Sequence, residues 1–86
     1  MDPNEVILYP LMTESASLMV EKENKLLFAV NKNATKHDIK QAIEQLYEVK
    51  VQKITTLITP QATKKAFVKL TPEYKAADIA IKLGIL

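Results

Sequence analysis

A chain of 86 residues with no cysteine excludes a disulfide framework and a thiolate metal site, and its length leaves room for one small core and no second domain. Its 48% apolar and 26% charged content belongs to folded globular proteins rather than to disordered or low-complexity chains. The net charge of +2 hides a division: residues 1–24 carry five acids and one lysine, whereas residues 25–86 carry eleven lysines and five acids. One end of the chain suits a polyanion and the other does not.

The opening residues lack the basic and apolar stretches of a signal peptide. The longest uninterrupted apolar run, Leu26 to Val30, falls far short of the roughly 18 residues a membrane span needs. A soluble, cytoplasmic protein without membrane insertion is expected. Val6-Ile7-Leu8-Tyr9, halted by Pro10, predicts an edge strand or an extended lead-in. Thr13 then caps a helix with Ala16, Met19, Val20 and Glu23 on its inner side, and Asn24 stops it.

Residues 25–31, "KLLFAVN", form a strand candidate with Leu26, Phe28 and Val30 on one face and Leu27, Ala29 and Asn31 on the other. Neither face is strongly polar, so both should be partly covered. Thr35, with Asp38 three residues on, approximates a capping box for the clearest helix of the chain. Ile39, Ala42, Ile43, Leu46 and Tyr47 follow at helical spacing. Val49 to Thr59 reads as a long strand whose imperfect alternation suggests a bulge. Pro60 to Thr63 turns the chain into "KKAFVKL", where Lys64, Ala66, Val68 and Leu70 share one face and Lys65, Phe67 and Lys69 the other. Thr71-Pro72-Glu73 predicts a helix start with Pro at the first position, continued by Ala76, Ile79, Ala80 and Leu83 and ended by Gly84 before Ile85 and Leu86. Phe67 is expected to pack under this terminal helix or a neighbouring element.

Strand, helix, strand and hairpin strand in that order make a split β-α-β unit. A right-handed crossover places "KKAFVKL" centrally, antiparallel between two mutually parallel strands. The expected fold is an α/β (α+β) sandwich, with a mainly antiparallel sheet and flanking helices.

Catalysis has little material. His37 is the sole histidine and falls on the polar side of its helix, Ser15 and Ser17 suit capping or solvation, and the sole glycine cannot build a phosphate loop. No enzyme activity, metal or cofactor is expected. All twelve cations are lysines, which favour phosphate attraction over bidentate reading of bases. Lys65 and Lys69, with Lys25 and Lys53 on neighbouring strands, make either a solvated face or a nucleic-acid surface, and the residues alone leave both open. Ala66-Phe67-Val68 also matches the middle of the RNA recognition motif signature. However, Lys64, Lys65 and Leu70 stand where that signature requires glycine or aromatic residues. A small protein-interaction domain without RNA is the remaining alternative.

Several co-ordered segments resemble the ribosomal protein L23 family, the universal protein beside the nascent-chain exit of the large subunit. "YPLMTESA" resembles its P-x-x-[S/T]-E-K-A opening, and "NKLLFAVNKNATKHDIKQAIEQLYEVKV" its strand, A-[T/S]-K turn and long helix. "ITTLITP" resembles its V-N-T-L strand, "KKAFVKL" its K-K-A-[Y/F]-V-x-L strand, and "EYKAADIAIKLGIL" the tail of the archaeal and eukaryotic branch. The resemblance implies a non-enzymatic protein that binds large-subunit ribosomal RNA and meets neighbouring ribosomal proteins at the exit rim. It also implies docking of the signal recognition particle and, in bacteria, trigger factor. RNA contact would fall to Lys36 in the A-T-K turn and to Lys64 and Lys65 in K-K-A. Lys32 and Lys40, which flank that turn, and Lys25, Lys53 and Lys69 of the strands complete the expected set. Factor docking would fall to Glu14, Tyr47 and Glu48. Ser15 replaces the motif lysine after Glu14, and Thr55 the asparagine of V-N-T-L. The short turn at 60–63, without the long hairpin extension of the bacterial branch, indicates the archaeal type.

Overall fold

The computed structural model describes residues 2–85; Met1 and Leu86, the last residue of the expected tail, lie outside the described residues. The elements run α1 (Pro3–Val6), β1 (Ile7–Pro10), α2 (Glu14–Lys22), β2 (Lys25–Val30), α3 (Lys36–Tyr47), β3 (Val51–Ile58), β4 (Lys64–Leu70) and α4 (Ala76–Lys82). The four strands form one open sheet in the order β1-β2-β4-β3 with every neighbouring pair antiparallel. As the sequence predicts, β4 is a central strand and separates the mutually parallel β2 and β3. The result is an α+β fold.

Register fixes the two faces of the sheet. Ala66, Val68 and Leu70 of β4 lie opposite Phe28 and Leu26 of β2 and Thr56, Ile54 and Val51 of β3. On this face the strands meet Val6 of α1, Val20 of α2, Ile39, Ala42 and Ile43 of α3 and Ala76, Ile79 and Ala80 of α4 in one core cluster. The Tyr47 ring stacks on Phe28 at 5.9 Å between centroids, so the end of α3 is fastened to the centre of the core. β2 is buried on both faces, as its composition suggests. On the second face Ala29 is fully enclosed between Tyr9 and Lys65, its register neighbours, and Leu27 is 8% exposed beside Phe67.

Capping follows the sequence closely at α2 and α3. The Ala16 N–H donates to Thr13 Oγ1 at 3.1 Å. At α3 the capping box is complete: the Asp38 N–H donates to Thr35 Oγ1 at 3.1 Å, and the Thr35 N–H donates to Asp38 Oδ2 at 3.0 Å. The hydrogen bonds from Thr35, backbone first, hold the Asp38 carboxyl below its ordinary value. The bulge expected in β3 falls between Val51 and Lys53. Glu44 braces it from α3 by accepting the Val51 N–H at 3.0 Å.

Four expectations are corrected. The lead-in holds a short helix, α1, with Asp2 accepting the Asn4 N–H at 2.9 Å and Pro3 in its first turn, so β1 begins at Ile7 rather than Val6. Leu46 is 38% exposed although its spacing assigned it to the inner face. Glu23 is exposed as well, as the C-cap of α2. The largest change is at α4, which begins at Ala76 rather than Pro72. Residues 72–74 form a turn closed by the Tyr74 N–H on Thr71 O, and the Thr71 hydroxyl caps nothing.

The partner that opens α4 comes from across the molecule. Asn24, left-handed at φ 56° just after α2, accepts the Ala76 N–H on Oδ1 at 2.7 Å. Its Nδ2 donates to Tyr74 O at 2.8 Å and lies 3.3 Å from Thr71 O and 3.4 Å from Leu70 O. At the far end of α4 the Gly84 N–H bonds Ile81 O and the Ile85 N–H bonds Ala80 O. With Gly84 at φ 73°, this is a Schellman ending.

Two outcomes follow for stability. Asn24→Ala removes the acceptor of the Ala76 N–H and the donor to Tyr74 O, and puts a Cβ-bearing residue without a local amide in a left-handed conformation. It should cost about 2–4 kcal/mol in chemical denaturation, and Asn24→Gly about 1 kcal/mol less. Because the folded Asp38 carboxyl is depressed, its contribution is complete above the ordinary carboxylate range and is lost as pH falls through that range. Acid titration of stability should therefore lose part of its slope in Asp38→Asn.

Candidate nucleic-acid interface

The second face of the sheet is written by the odd-numbered residues of β2 and β4, joined by Tyr9 of β1 and by Lys53, Thr55 and Leu57 of β3 beyond its bulge. Register sets Lys25 of β2 opposite Lys69 of β4, and Lys69 opposite Lys53 of β3, so three ammonium groups occupy one row across three strands. Leu27, Phe67 and Thr55 make the next row and Ala29, Lys65 and Leu57 the third, with Tyr9 of β1 beyond Ala29. Like charges placed directly opposite each other work against the sheet by a few tenths of a kcal/mol or more per pair. Glu23 relieves only Lys25, with Oε1 3.5 Å from the ammonium, and it is the sole ion pair among the described residues. Lys69 and Lys53 have no carboxylate partner among the described residues.

Phe67 does not lie under the terminal helix. It alternates with Ala66 and Val68, which face the core beside α4, and so it stands half-buried on the opposite face between Leu27 and Thr55. Tyr9, 52% exposed, is on the same face but two strands away, with β2 between them. Two rings so far apart and flanked by lysines do not make the continuous stacking platform of an RNA recognition motif.

Lys64 and Lys65 are adjacent in sequence and part ways in space. Lys65 extends over the second face beside Ala29, whereas Lys64 points to the helix side, where its Nζ donates to Ala34 O at 2.6 Å. Lys64 thereby ties the strand to the turn that precedes α3. Together with Lys32 and Tyr9 it also borders a groove of about 360 Å³ at the β3–β4 turn. Lys32 therefore borders a different groove from Lys36 and Lys40.

Those two lysines open a further surface. Lys36, His37 and Lys40 of α3 face Val51, Gln52, Lys53 and Ile54 across a groove of about 170 Å³. Lys53 thus belongs both to the lysine row of the sheet and to this groove, and the cationic surface turns round the β3 edge with Lys53 as its hinge. Sequence reasoning placed these lysines on separate elements and set His37 aside. Only the packing of α3 against β3 brings them together.

The expected docking residues are also divided. Tyr47, Glu48, Glu73, Tyr74 and Asp78, together with Lys75 and Lys82, line a groove of about 380 Å³ between the end of α3 and α4. Glu14, exposed at the start of α2, does not border it. Tyr47 gives its ring to the core, and burial pushes its hydroxyl up, so it stays neutral. Glu73, Tyr74 and Asp78 went unsuspected because the sequence joins them to α3 only through the fold. Among the described residues no cluster of histidine and carboxylate side chains could hold a metal, and no helix is long and apolar enough to cross a membrane.

The chain is a small α+β protein, with its helices on one face of an antiparallel sheet and a row of lysines across the other. The family model for Ribosomal protein L23 matches residues 5–84, and the chain belongs to that family. It is accordingly a structural protein of the large ribosomal subunit and works in translation; the family implies ribosomal RNA and ribosomal proteins as partners and is generally without catalysis.

The two neighbouring lysines give a direct check. Lys64→Met removes the donor to Ala34 O and should lower stability by about 1–2 kcal/mol, while Lys65→Met should change it by no more than about 0.5 kcal/mol. Equal losses in thermal or urea unfolding would contradict the division of roles.

Proposed function

We propose that the chain binds large-subunit ribosomal RNA through a lysine belt. The belt runs from Lys25, Lys65 and Lys69 on the second face, round the β3 edge at Lys53, to Lys36 and Lys40 on α3. The carrying observation is the row Lys25–Lys69–Lys53: three charges in register, with a single carboxylate beside one of them. Such a row costs the free protein stability, and the cost is relieved when its ammonium groups displace the counterions condensed on RNA phosphates. Lys32 and Lys64 would extend the contact at the β3–β4 turn, Lys64 with the donors left after its bond to Ala34 O. The family resemblance supports a place at the polypeptide exit rim of cytoplasmic ribosomes, and the short 60–63 turn supports the archaeal type.

Docking of the signal recognition particle and related factors is the second part of the reading. The acidic N-terminal region supports it at Glu14, and the carboxylates at the end of α3 and along α4 support it at Glu48, with Tyr47 as a half-buried anchor for that corner. Three carboxylates against two lysines at the α3–α4 corner, and the acidic N-terminal region around Glu14, favour a basic protein partner over RNA there, so the two would divide the surface between them.

Titrating the purified protein with large-subunit RNA fragments and with unrelated RNA across a salt series tests the first part. We expect a preference for the former and a steep loss of affinity with salt, with Lys53→Gln and Lys69→Gln each flattening the salt slope by about one unit. No preference at any salt would sink the assignment. For docking, Glu14→Lys and Glu48→Lys should impair recruitment of the signal recognition particle to assembled subunits while assembly itself continues. Undiminished recruitment rejects that role.

A further inference from the structure

The α3–β3 groove differs from the rest of the belt in having an apolar floor. Val51 and Ile54, 6% and 9% exposed, lie at its base, while Lys36, Lys40 and Lys53 stand around it and none of its seven lining residues is acidic. Glu44, one turn beyond Lys40, is drawn aside to accept the Val51 N–H at 3.0 Å. The bulge at Gln52 interrupts the alternation of β3 and brings an amide, donor and acceptor at once, into the lining across from His37. Val51 and Ile54 belong to the core, and the edges they show at the groove give it an apolar floor that a phosphate alone would not use. A space of about 170 Å³, room for several water molecules, admits one ring system and no helix.

We infer that this groove takes one unpaired ribonucleotide, its base lodged over Val51 and Ile54 against His37, its edge read by Gln52 and its phosphates held by Lys36, Lys40 and Lys53. The inference rests on the RNA-binding reading above and deepens it, from phosphate attraction to recognition of a nucleotide splayed out of its helix. Unstacked bases in loops and bulges are what side chains can reach in RNA, and histidine is among the rings on which they stack. The groove supplies the three parts such a nucleotide requires: a dry surface, a polar edge and cations on the rim.

The test compares a short RNA duplex with the same duplex carrying one unpaired uridine. The wild-type protein should favour the bulged RNA by roughly five- to a hundredfold, the range base stacking provides. His37→Ala, at an exposed position that favours alanine in a helix, should abolish that preference and leave affinity for the perfect duplex unchanged. Lys40→Gln should weaken both RNAs alike. Phe67→Ala should leave the preference intact. Equal affinity of the wild-type protein for both RNAs, or a preference that survives His37→Ala, overturns the inference; loss of the preference in Phe67→Ala alone moves the nucleotide to the sheet face and overturns it too. Selective binding of large-subunit RNA without a bulge preference would defeat the groove assignment and spare the ribosomal one.

Discussion

The structure depends on the alternation of β4 between two flanking strands. As a central strand it must satisfy both of its edges with backbone bonds, to β2 on one side and β3 on the other, and so it can neither slip nor rotate. A shift of one residue would drive Lys65, Phe67 and Lys69 into the core and turn Ala66, Val68 and Leu70 outward. The burial of those three, at 0%, 0% and 1% exposure, makes that shift prohibitive. The same constraint that builds the core therefore holds the lysine row in place. Structure and surface charge are two consequences of one register.

Asn24 complements this at the other end of the sheet. Its amide replaces the hydroxyl cap that α4 lacks and gathers carbonyls from the segment joining β4 to α4. Because Asn24 also ends α2, two helices and the last strand meet on one side chain. The left-handed backbone there suits asparagine, whose short amide tolerates positive φ and can bond locally or across the fold. Lys64 makes a similar tie between β4 and the turn before α3. Both residues bond to backbone carbonyls far away in sequence, and this is why neither role shows in a local pattern.

Helix caps, strand faces and the β3 bulge were legible because each is a short-range matter: Thr13 and Thr35 bond within three residues, and period-two alternation sorts side chains without reference to a partner. The error at α4 has the same origin. Thr71-Pro72-Glu73 carries every local sign of a helix start, yet Asn24 offers the Ala76 N–H a better acceptor and the intervening residues turn instead. Leu46 was assigned inward by spacing, but its neighbour Tyr47 takes the place beside Phe28 and leaves Leu46 at the rim.

Of the site, the sequence by itself determined the material: twelve lysines and no arginine, an acidic beginning, and an alternating strand with three lysines, together with the segments that carry the family. Tertiary structure alone decided where that material acts. It aligned Lys25, Lys69 and Lys53 in one row, sent Lys64 and Lys65 to opposite faces, separated Glu14 from Glu48, and set His37 across a groove from Gln52. The reason is physical. Charge and periodicity belong to single residues and short segments, whereas strand register and the packing of a helix on an edge strand arise from contacts between elements far apart in sequence.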